Sequence, residues 1–176
     1  MIGTHASRYW RLEAPEPTPP DEICSCTQPQ DLKLQYSLGF NPIHCMVCNL
    51  EVRPSVLQFS GVLAEALQKW NTLRGALETL WLDSGEYEAW ASSQLVNPGG
   101  WVNTLGRQLA KDLRAFRPTY YNLFMGSQSP RDFHCPICEV KMARYADGDL
   151  EQLVCLGCWL VMFPDEVCLP PPGGLR

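Results

Sequence analysis

Two pairs of cysteines, Cys135-Pro136-Ile137-Cys138 and, sixteen residues on, Cys155-Leu156-Gly157-Cys158, restrict this chain more than any other stretch. A CxxC turn brings two sulfurs to one side of a tight knuckle. Two knuckles joined by a short hairpin complete a tetrahedral shell of four thiolates. The intervening residues suit a hairpin: Val140–Tyr145 has strand character, Ala146-Asp147-Gly148-Asp149 is turn sequence, and Leu150–Val154 returns. The spacing therefore predicts a zinc ribbon with Cys135, Cys138, Cys155 and Cys158 as ligands. A redox or merely buried pair of dithiols fits it less well.

A second set lies near the start. Cys24-Ser25-Cys26 is followed eighteen residues later by Cys45-Met46-Val47-Cys48, with a strand expected over Leu32–Tyr36 and a turn over Gly39–Pro42. Cys24, Cys26, Cys45 and Cys48 thus form a second ligand set, which makes two Zn2+ per chain. Cys45–Pro54 (CMVCNLEVRP) and Cys155–Pro164 (CLGCWLVMFP) share the knuckle, a leucine two residues on and a proline six residues on. That weak repeat predicts a short strand ending at proline after each ribbon. The competing assignment joins the Cys45 knuckle to the Cys135 knuckle. Closing a loop of about 86 residues instead of about 16 costs only ~1.5 kcal/mol more, so local hairpin geometry, not entropy, favours the first assignment.

Residues 60–124 contain no cysteine and change character. Val62, Leu63, Ala66, Leu67, Trp70, Leu73, Leu77, Leu80 and Trp81 recur at helical spacing, with Ser60 as N-cap and Gly85 as stop. A second helix is expected over Glu86–Val96, broken by Asn97-Pro98-Gly99-Gly100. A third carries Val102, Leu105, Leu109, Leu113 and Phe116 and ends before Pro118. The tryptophans at 70, 81, 90 and 101 are read as core. Arg107, Lys111, Arg114 and Arg117 share one face of the third helix. They are either a solvated face or a docking stripe for an acidic partner or a nucleic-acid backbone.

Arg8–Leu12 is a plausible strand, with Tyr9 and Trp10 docked on the body in preference to forming a recognition surface. The following Ala14–Pro20 is an extended linker. Cys168 has no partner of matching spacing and is expected as a buried or free thiol, with a spare ligand as the other reading; residues 169–176 are expected extended or disordered. The formal charge is −5, and two tetrathiolate zinc sites would bring it to about −9. Such a balance opposes general affinity for phosphate backbones. Nine cysteines and no leader-like segment point to a reducing, cytoplasmic setting. The run Leu153–Phe163 is too short to span a bilayer.

Catalysis is not expected. No nucleophile-elbow, HExxH, deaminase or P-loop pattern occurs. Four thiolates close a zinc shell that a catalytic site keeps open. His44 and His134 each stand just before a knuckle cysteine, where an outer-shell or surface role is expected. The flanks of Cys135–Cys138 lack the βαβ context of a thioredoxin-like redox site.

The cysteine frame, with Tyr36-Ser37-Leu38-Gly39-Phe40-Asn41-Pro42-Ile43-His44 leading into Cys45, resembles the double-CXXCG proteins. This resemblance implies a zinc-ribbon protein, and for some members an immunity role against a partner toxin. Where the family motif has glycine after the second cysteine, this chain has Asn49, Glu139 and Trp159. The expected fold is α+β: two small zinc-ribbon units (23–59 and 125–168) flank a helical insert of about three helices (60–124), with an N-terminal segment (1–22) and a tail (169–176). The expected function is non-catalytic binding of another protein. A nucleic-acid-binding ribbon using Arg107, Lys111, Arg114 and Arg117 is the alternative, and a redox protein the third reading.

Overall fold

The computed structural model describes residues 7–13, 18–27, 31–126, 133–145 and 151–163. The turn expected at 146–149, residues 14–17 of the linker, Cys168 and the 169–176 tail lie outside the described residues.

The helical stretch begins where capping chemistry puts it. Ser60 Oγ accepts the Leu63 N–H at 3.2 Å and opens a helix over Gly61–Asp83 (α2), preceded by a single turn at Pro54–Leu57 (α1). Gly85, at φ +64°, carries the chain out of α2. Glu88–Val96 (α3) and Trp101–Leu113 (α4) follow. The buried stripe of α2 is Ala64, Leu67, Trp70, Asn71, Arg74 and Leu77, while Val62 stands exposed. Two polar residues therefore occupy core positions. Arg74 pairs with Glu78 and lies 5.4 Å from the Tyr36 ring and 5.2 Å from that of Phe124. Asn71 Nδ2 donates to the Ser37 and Gly39 carbonyls, and its Oδ1 accepts the Ser37 N–H. This pins the loop before the first knuckle.

Strands from both cysteine segments join in one mixed sheet. Among the described residues it has the order β2-β1-β3-β6-β5-β4, with β1 Leu32–Leu34, β2 Ile43–Cys45, β3 Thr119–Asn122, β4 Ala143–Arg144, β5 Leu153–Cys155 and β6 Leu160–Met162. β3 is the centre. It runs parallel to β1 on one side (Lys33 opposite Tyr120) and to β6 on the other (Tyr121 opposite Leu160). The hairpins β1–β2 and β5–β6 are antiparallel. Alternation sends Leu32, Leu34, Tyr121, Leu160 and Met162 into the main core with Trp70 and Leu113. The opposite face gathers Met46, Tyr120, Val154 and Val161. Lys33, fully buried, contacts Gln152 Oε1 at 3.3 Å and the Phe163 ring at 4.4 Å.

Three expectations need correction. Residues 10–12 form a 3-10 turn, not a strand; this turns Tyr9 and Leu12 inward together, and Tyr9 Oη donates to the Phe59 carbonyl at 2.9 Å while Trp10 stays exposed. Pro54 opens a helix instead of ending a strand: its fixed φ suits the first helical position, and only Glu51 makes bridges there. Of the four tryptophans read as core, Trp70 is buried and Trp81 half-buried against Phe124, but Trp90 and Trp101 are 51% and 49% exposed. The buried stripes of α3 and α4 run through Ala91, Leu95, Val102 and Leu109 instead.

Candidate metal centres

Each predicted ligand set comes together. Cys24, Cys26, Cys45 and Cys48 form one cluster and Cys135, Cys138, Cys155 and Cys158 the other, with the sulfurs of each set within 4.8 Å of one another. The assignment bridging the Cys45 and Cys135 knuckles is not formed. Cys138 and Cys155 Sγ lie 3.6 Å apart, close to the ~3.8 Å edge of a tetrahedron with zinc–sulfur bonds of about 2.3 Å. Four soft thiolates and no other donor fit Zn2+. Each cluster can hold one ion, two per chain.

The backbone builds the knuckles. In the Cys45 turn, Cys45 N–H donates to Leu50 O at 2.9 Å and Asn49 N–H donates to Cys45 O at 3.0 Å. The Cys135 turn repeats this, with Cys135 N–H to Val140 O at 2.9 Å and Glu139 N–H to Cys135 O at 2.8 Å. In the third knuckle the Cys158 N–H points at Cys155 Sγ, 3.4 Å away. The residue after each second cysteine is left-handed: Asn49 at φ 60°, Glu139 at 60° and Trp159 at 55°. These are the positions where the double-CXXCG motif has glycine, the residue that adopts that conformation without strain.

Local electrostatics divides the sulfurs. A hydrogen bond from the Val140 backbone, aided by neighbouring cysteines, holds the exposed Cys138 thiol down to about 7. At Cys48 burial pushes the thiol up, but the Leu50 backbone and the adjacent cysteines bring it below its ordinary value. Burial pushes Cys24 and Cys158 up. Metal binding must expel those protons, so affinity for zinc rises with pH until the thiols are ionised. His44, behind the first knuckle, is pushed down to about 4, mainly by burial, and its Nδ1 has no hydrogen-bond partner among the described residues. It is a neutral imidazole at physiological pH. His134 is exposed.

The basic face of α4 divides as well. Arg107, Lys111 and Arg114 line a cavity of about 230 Å³ together with Cys158 and Trp159 of the second cluster. Arg107 Nη2 donates to Pro98 O at 3.2 Å, and Arg114 lies 4.8 Å over the Trp159 ring. Arg117 is outside this cavity; its carbonyl accepts the Thr119 hydroxyl at 2.8 Å. Trp159 escaped the sequence reading as a cavity residue. Its one signal there was its place at the exit of a knuckle.

Fold and centres together define an α+β chain whose sheet incorporates two zinc-ribbon-like sites of four cysteines each. Comparison with protein-family models, curated proteins and solved structures finds no match.

Proposed function

We propose that this chain is a non-catalytic, zinc-stabilised module that binds another protein. The observation that supports it is the composition of the two metal shells. All four donors in each are thiolates, which leaves no open position for substrate or activated water. The metals then serve to hold strands, and function falls to the outer surface. That surface carries large apolar side chains: Leu38 is 95% exposed on its pinned loop, and Trp90 and Trp101 are half-exposed on α3 and α4. Tryptophan is a residue type that protein interfaces enrich. An immunity or inhibitor role, which the double-CXXCG resemblance implies for some members, is one form of this function, and an adaptor role in the reducing cytoplasm that the cysteine usage suggests is another.

A nucleic-acid-binding ribbon is the competing reading, and the α4 cations are the observation that favours it. The acidic balance of the chain opposes it. Zinc-loaded protein should carry two zinc ions, fail to retain generic duplex DNA or RNA at physiological salt, and co-purify one protein partner insensitive to nuclease. Retention of nucleic acid at that salt would reverse the choice. Among the described residues no helix is long and apolar enough to cross a membrane.

A further inference from the structure

The cavity between α4 and the second cysteine cluster gathers three cations. Arg107, Lys111 and Arg114 line it, and among the described residues none of the three is within ion-pair distance of a carboxylate. Among the described residues three other arginines, Arg11, Arg74 and Arg144, do pair with a glutamate. Arg107 is also held in place by the Pro98 carbonyl, and its Nε is buried with no acceptor among the described residues. Orphaned donors of this kind are uncommon, because losing water without gaining a partner is costly. Arg114 is fixed over the Trp159 ring. Two of the three charges are thus pre-positioned at the cavity rim, which lowers the ordering cost of binding an anion there.

We propose that this cavity receives carboxylate side chains from an acidic segment of the partner protein. The inference rests on the protein-binding reading above and names the chemistry of its site. Size favours a side chain: about 230 Å³ lies below the ~300–1,000 Å³ typical of small-molecule sites. Charge favours a local acidic segment over a phosphate backbone. A nucleic-acid track commonly engages about 6–10 phosphates, whereas here three cations stand in a chain of net charge −5. The Trp159 ring already packs against Tyr120, at 5.2 Å between centroids, and under Arg114, so it makes a poor platform for stacking a base. Arginine at the rim suits carboxylates, which its planar fork binds in two-point fashion. Cys158 also borders the cavity, so the same cations stand near one zinc-bound sulfur. The test must separate these two roles.

The zinc-loaded full chain is titrated at low and at physiological salt with a short oligoglutamate peptide, and in parallel with a thymidine oligonucleotide of matched charge. The Trp159 indole and Arg114 guanidinium NMR signals are followed. The peptide should shift both signals, less so as salt rises. Lys111→Glu should weaken its binding about fivefold, while the same reversal at the exposed Lys69 of α2 leaves it unchanged. Arg114→Gln should weaken it too and retain two zinc ions. If neither probe moves these signals, the proposal falls while the wider protein-binding reading stands. If the oligonucleotide binds more tightly than the peptide, both fall. Loss of zinc from Arg114→Gln would assign the cations to the thiolate shell and overturn the proposal.

Discussion

Asn49, Glu139 and Trp159 hold the left-handed turn that releases the chain from each knuckle, and they differ in what that conformation costs them. Asparagine tolerates it; glutamate and tryptophan do not, at roughly 1–2 kcal/mol each. Glu139 is exposed, so Glu139→Gly loses no packing. The relieved strain exceeds the added freedom of the unfolded chain, and the zinc-loaded protein should gain roughly 0.5–1 kcal/mol in urea denaturation. Asn49→Gly should change stability little. Trp159→Gly should instead destabilise, because the indole packs on Tyr120 and beneath Arg114. A uniform response of the three substitutions would show that backbone strain does not set their order. The sequence marks these positions only through the absent glycine, since the cysteine spacing specifies the knuckle but not what its exit residue must endure.

α4 lies against β3 more closely than its apolar periodicity implies. A Cβ on Gly106 would stand 2.2 Å from Tyr121 Cε2 and 2.8 Å from Trp70 Nε1. Neither ring has room to retreat: Trp70 Nε1–H donates to Val102 O at 3.0 Å and Tyr121 Oη donates to Asn103 Oδ1 at 2.7 Å. Gly106→Ala should therefore cost roughly 1–3 kcal/mol by overpacking, read as an earlier denaturation midpoint with unchanged slope. Asn103 ties three elements at once, since its Nδ2 also donates to the Leu95 and Asn97 carbonyls at the end of α3. Asn103→Leu takes the amide donor from the Leu95 and Asn97 carbonyls, the latter keeping only the Gly100 N–H, and the acceptor from the Tyr121 hydroxyl, and should cost roughly 2–4 kcal/mol; a loss below about 0.5 kcal/mol would mean water replaces the amide. The helices themselves were legible: Ser60, Gly85 and the Asn97–Gly100 break lie at or next to the observed ends. Their buried faces were less so, because Asn71, Arg74, Asn103 and Gly106 fill core positions that a hydrophobic pattern skips. β3 was not legible at all. Its four residues are too few to show alternation, and its partners in β1 and β6 are distant in sequence.

Across the whole molecule, that unseen strand decides how the two centres depend on each other. β1 and β2 belong to the first cysteine segment, β5 and β6 to the second, and β3 hydrogen-bonds both halves into one sheet. The Tyr121 amide donates to Trp159 O at 2.8 Å and the Leu123 amide to Val161 O at 3.1 Å, so the central strand leans on residues that the second cluster positions. Structural tetrathiolate zinc contributes on the order of 10 kcal/mol per site. Two sites together exceed the ~5–15 kcal/mol by which a domain is ordinarily stable. Complete chelation should therefore dissolve the sheet, with loss of near-UV circular dichroism, instead of leaving a folded apo form. Cys155→Ser separates the halves. It should leave one zinc by native mass spectrometry and sharply reduce hydrogen-exchange protection of the Tyr121 and Leu123 amides. The β1–β2 hairpin, held by Cys45 and Cys48 of the first cluster, should keep the protection of its own amides. Unchanged protection at Tyr121 would mean that β3 is secured by α4 and β1 alone, and that the second metal stabilises only its own hairpin.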